Sequence, residues 1–121
     1  MLHRSPHQAA LVVRYRLHDR ASAILTALET HHPVDELLLR HVERLYLGVR
    51  TATKVLPTCL QDPVWGLLPA EGFMTEDASR EFLIGEMEHI KRGLEREIGD
   101  LLPAGLAASP LGRMIARAAA Q

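Results

Sequence analysis

Two Glu-x-x-His pairs, Glu29 with His32 and Glu86 with His89, come nearest to a chemical signature in this chain. Three residues apart on a helix, the two side chains of a pair share one face. Two such pairs, with a bridging Glu from each of two further helices, make the di-iron carboxylate site of helical bundles. The rest of that ligand set is missing. Asp19 is the only carboxylate ahead of Glu29, and Pro33 directly after His32 disturbs the helical geometry the first pair needs. Glu86 and His89 fall off the apolar side of their segment and read as solvated surface. His31, His32 and His41 lack the cysteines and the spacing of structural zinc sites, and the histidine pattern of hemerythrin-like proteins is missing too. Cys59 follows a helix C-terminus, where the dipole disfavours a thiolate. There is no Gly-rich phosphate loop and no framed Ser/His/Asp arrangement. The chain therefore reads as non-enzymatic, with no catalytic residue, cofactor or metal assigned.

The totals agree with a binding protein. A length of 121 residues makes one domain, and 47% apolar with 24% charged residues is an ordinary globular balance. Aromatic residues are only 4%, so the core must be aliphatic. The net charge of −1 argues against wholesale binding to nucleic acid, but the charge is uneven. Residues 1–32 carry four arginines against two acids, residues 33–102 eight bases against thirteen acids, and residues 103–121 two arginines and no acid. An acidic body with basic ends suits an acidic partner or self-association. Nucleic-acid binding would have to use the arginines of the first helix and the tail, and no helix-turn-helix is visible. Cys59 is the only cysteine, which excludes an internal disulfide and fits a reducing compartment. The apolar run Ala9–Val13 is too short for a signal peptide, and no stretch approaches the roughly 20 apolar residues of a membrane span. A cytoplasmic location and no membrane contact are expected.

Positioning falls to helices. Leu38, Val42, Leu45, Val49, Ala52 and Leu56 alternate four and three residues apart, the spacing of a heptad seam. Leu83, Met87, Ile90 and Leu94 form a second seam that ends at Leu101. Neither stripe can be hidden by its own helix, so the two are expected to cover each other. The spacing predicts helices over 6–29, 34–56 and 76–102 and a short one over 110–119, joined by an apolar linker over 57–75. Ser5 with Pro6 and Thr75 with Glu76 and Asp77 supply start signals, while Pro33, Pro57 and Pro103 supply stops. Gly85, Gly93 and Gly99 cost roughly 1 kcal/mol each inside a helix, so they mark a close approach, a bend or fraying. The expected fold is an all-α single domain: two long antiparallel amphipathic helices with an N-terminal helix and a short C-terminal one.

Two long helices ending in Leu56-Pro57 and Leu102-Pro103 around an irregular linker, with Glu86-Met87-Glu88-His89 running on to Leu101-Leu102-Pro103, resemble the small all-helical quorum-sensing antiactivators of the TraM and QslA kind. The resemblance spans residues 34–103. It implies a regulator that binds a LuxR-type transcription activator and keeps it from DNA; no functional residue is carried over. The residues themselves point to a protein whose work is to bind another, with Trp65, Leu67, Leu68, Phe73 and Met74 of the linker as the partner-binding patch. Long amphipathic helices also suit pairing across a two-fold axis, so a homodimer is expected. A metal-binding bundle and a nucleic-acid-associated helical protein are the alternatives.

Overall fold

The computed structural model describes residues 6–57 and 75–102, which form three packed α-helices: α1 (Pro6–Glu29), α2 (Glu36–Ala52) and α3 (Glu76–Leu101). Among the described residues there is no strand. The short helix expected over 110–119, Cys59 and the linker patch Trp65, Leu67, Leu68, Phe73 and Met74 lie outside the described residues.

The starts of α2 and α3 follow from single oxygen atoms. Asp35 caps α2, its carboxylate accepting from the Leu38 N–H at 2.9 Å. Thr75 caps α3 in the same way, accepting from Ala78 at 3.1 Å. Each satisfies a donor that the first helical turn leaves free. Helix α2 is shorter than the expected 34–56 at both ends. Asp35 serves as the cap and so cannot lie inside the first turn. At the other end the Thr53 hydroxyl donates to the Val49 carbonyl at 2.7 Å and accepts from the Val55 N–H at 3.1 Å. A side chain bonding both ways to nearby backbone competes with the helix and ends it before Pro57 can.

This early stop changes the first seam. Leu38, Val42, Leu45 and Val49 are buried as expected, whereas Ala52 and Leu56 are exposed, Leu56 to 65%. Val55 is buried in their place. The second seam is buried at Leu83, Met87, Ile90 and Leu94; Ile98 extends it, and Leu101 is only half-buried.

The seams do not simply cover each other. Leu17, Ala21, Ile24, Leu25 and Leu28 of α1 join both in one apolar cluster, and α1 packs most extensively against α3 and less so against α2. The helix expected as an accessory is the shared partner. Arg14 of α1 meets Glu97 at 3.0 Å, and Arg80 reaches the Leu28 carbonyl at 3.0 Å, so α1 and α3 run antiparallel. The Val34 N–H donates to Glu76 at 3.3 Å and the Lys54 N–H to Glu97 at 3.1 Å. Both numbers rise together along α2 and α3, so these two helices are parallel rather than antiparallel. The long stretch between them leaves room for the chain to return.

Helix α1 ends in a two-bond reverse turn: His31 N–H to Leu28 O at 3.3 Å and His32 N–H to Ala27 O at 2.9 Å. That motif needs a left-handed residue after the cap, and here it is His31, at φ 64°. A β-carbon is strained in that region, so His31→Gly should raise stability by about 0.5–1 kcal/mol. Urea denaturation reads this directly; a lower midpoint would show that the imidazole makes a stabilising contact.

Two α3 glycines separate the readings raised by the sequence. A β-carbon at Gly93 would stand 2.8 and 2.9 Å from the two γ-carbons of Val55, while one at Gly85 meets nothing within 4 Å. Close approach therefore explains Gly93 and not Gly85. Rotating Val55 does not clear both methyls. Gly93→Ala should lower stability by about 1–2 kcal/mol despite its helix propensity, and Gly85→Ala should raise it by about 0.5–1 kcal/mol. Thermal melts of both, with Gly93→Ala repeated in a Val55→Ala background where the penalty should vanish, test the contact.

Candidate functional site

Helices α1 and α2 leave a groove of about 470 Å³ along their shared outer side. Its register is set where Leu17 lies over Gly48, with Cδ2 2.7 Å from where a β-carbon would stand. Ala23, Ile24 and Ala27 of α1 and Leu37 and Leu38 of α2 supply the apolar lining, and Arg20, His32, His41 and Arg44 complete it. Leu37 is 61% exposed, a large apolar side chain left in water.

The charge of this groove is one-sided. None of the lining residues is acidic. Leu37, His41 and Arg44 are spaced i, i+4, i+7 and so share one flank of α2. At 3.6 residues per turn, Glu36 and Glu43 fall roughly a third of a turn away, on the other flank. Among the described residues, Arg20, Arg44 and His41 make no ion pair or side-chain hydrogen bond. His32 is tied by its Nδ1, 2.8 Å from the Pro33 carbonyl oxygen. The helix arginines that do pair are elsewhere: Arg14 with Glu97, Arg40 with Glu36 and Arg80 with Glu76.

The two Glu-x-x-His pairs are not brought together. Glu29 is exposed beside a His32 that is bonded to its own turn. His89 places Nε2 2.9 Å from the Leu56 carbonyl oxygen. Glu86, read from the sequence as solvated, is buried to 3% exposure. A helix covered on two sides buries more than its heptad seam, and Glu86 falls within that wider band. Among the described residues, no three His, Cys, Asp or Glu side chains converge as a metal would require.

Polar groups of α1 also lie inside the bundle. His18 is fully buried on α1, with Nε2 2.9 Å from Glu95 of α3. The Tyr15 hydroxyl is buried with no hydrogen-bond partner among the described residues, and burial raises its pKa above the ordinary tyrosine value. Neither faces the groove. No helix among the described residues is long and apolar enough to cross a membrane.

Comparison of the chain with protein-family models, curated proteins and solved structures finds no match.

Proposed function

We propose that the chain is a regulatory protein that binds and sequesters a protein partner, and that the α1/α2 groove is where it does so. One observation carries the reading: an apolar trough with an exposed Leu37 and a rim of arginines that no acid of the bundle neutralises. Seating a helix of another protein in such a trough is a recurring recognition mode. Apolar anchors supply affinity, and the rim charges supply orientation and rate of encounter. A LuxR-type transcription activator is the partner class that the resemblance to TraM and QslA suggests, with occlusion of its DNA-binding or dimerisation face as the mechanism.

The test is affinity purification with mass spectrometry from the native cell, run with the parent chain and with Leu37→Glu. Leu37 is outside the core, so this variant should fold normally. Expected is a partner recovered with the parent, lost with Leu37→Glu, and unable to bind its DNA once the parent chain is added. Equal recovery with both proteins removes the groove from the proposal; recovery of no stable partner removes sequestration. Leu38 to Val49 of the first seam and Leu83 to Leu94 of the second are covered within one copy of the chain, so a homodimer would have to use another surface, such as the exposed Leu56 end, and light scattering at micromolar concentration decides whether it forms.

A further inference from the structure

We infer that the groove takes a short amphipathic helix whose apolar stripe is flanked by carboxylates, an inference that rests on the sequestration reading and names the partner's recognition element. The lining of α1 runs from Arg20 to Ala27 and that of α2 from Leu37 to Arg44. Seven residues of rise make about 10 Å, two turns of helix. A helix lying along that length presents two or three apolar residues at i, i+3 or i+4, and i+7 to Ala23, Ile24, Ala27, Leu37 and Leu38.

Charge selects among occupants. Since α1 and α2 are antiparallel and Leu17 faces Gly48, Arg20 and Arg44 stand opposite each other at one end of the groove. Both lack an ion-pair partner among the described residues. A carboxylate placed between them gains two charge-assisted contacts, with no bundle acid to displace. The chain's own last residues, 103–121, carry two arginines and no acid and so match the rim in sign. Nucleic acid would find two arginines beside an apolar floor, where a phosphate backbone wants a denser row of cations. An acidic amphipathic helix satisfies floor and rim at once.

The experiment uses the full chain and a fluorescent synthetic peptide of about 14 residues, four turns, with Leu on one stripe and Glu on its flanks. Anisotropy is read against three controls: the same composition scrambled, a Lys-for-Glu version, and dodecanoate as competitor. Saturable binding of the acidic helix that weakens steeply with salt is expected, with neither control peptide binding the parent. Reversing both rim charges, Arg20→Glu with Arg44→Glu, should weaken the acidic peptide by roughly tenfold or more and let the Lys version bind. Melting curves confirm that the variant folds. Equal binding of the scrambled peptide, or no effect of charge reversal, overturns the inference. Saturable binding of dodecanoate itself, read by calorimetry, with no saturable peptide binding reassigns the groove to small amphiphiles.

The two proposals fail separately. If no peptide binds while a cellular partner is still captured and lost on Leu37→Glu, sequestration stands and the acidic helix falls. If the peptide binds as described while no partner is recovered from the cell, the recognition element stands and sequestration falls.

Discussion

Leu45→Asp should leave the chain without a cooperative fold at room temperature. Leu45 is wholly buried at the middle of α2, in the cluster that α1, α2 and α3 share. Removing the isobutyl group forfeits its transfer energy and opens a cavity, about 3–4 kcal/mol for a Leu at such a site. The carboxylate left behind must then be buried unpaired, or protonated, or drawn to water by opening the helix pair, which adds several kcal/mol more. Together these rival the whole stability of a domain this size, on the order of 10 kcal/mol. The control is Leu37→Asp on the same helix at an exposed site, where the change should stay within about 0.5 kcal/mol. Circular dichroism should show loss of the cooperative transition for Leu45→Asp and a parent-like melt for Leu37→Asp. An unchanged melt for Leu45→Asp would mean that the seam is not the core.

What could be read from the sequence divides along a physical line. The limits of α1 and α3 were legible because local signals set them: Pro6 at a first helical position, Thr75 as a cap, and Pro103 just past the end. The seams were legible through Val49 and from Leu83 to Leu94, since periodicity and burial agree there. The C-terminus of α2 was not. Nothing in the spacing distinguishes a Thr53 that faces solvent from one that grips Val49 O and ends the helix. Direction was also hidden, because a long connection lets α3 run either way along α2. Sequence reasoning missed the groove for a related reason. It is built from two flanks, one on α1 and one on α2, that only tertiary packing sets side by side. The one available signal was Leu37, an apolar residue off the seam with His41 and Arg44 on the same flank, and the heptad reading drew attention away from it toward the apolar linker.

Arg80 is the least legible of the residues that hold this arrangement, and its loss should be the costliest among the polar contacts. In sequence it is an ordinary helix-surface arginine. In the structure its side chain is 13% exposed and closes the end of another helix. Nη1 donates to the Leu28 carbonyl at 3.0 Å and to the His32 carbonyl at 2.8 Å, while Nη2 holds Glu76 at 3.1 Å. Glu76 in turn accepts from the Val34 N–H at 3.3 Å. The pair thus ties both sides of the turn between α1 and α2 to the N-terminal part of α3, Arg80 through the Leu28 and His32 carbonyls and Glu76 through the Val34 N–H. Arg80→Met keeps the aliphatic stem and removes every donor, which should lower stability by about 2–3 kcal/mol. Lysine is a poor substitute, because one ammonium cannot reproduce the planar fork that spans two carbonyls and a carboxylate; Arg80→Lys should recover less than half of the loss. Urea denaturation gives both values. Amide exchange adds the local readout: residues 30–35 should exchange faster in Arg80→Met, while the middle of α3 changes only by the global loss. Since His32 and Leu37 line the groove at this turn, the same variant should also weaken capture of the partner. Parent-like exchange across the turn would show that the two reverse-turn bonds donated by His31 and His32 hold it without the clamp.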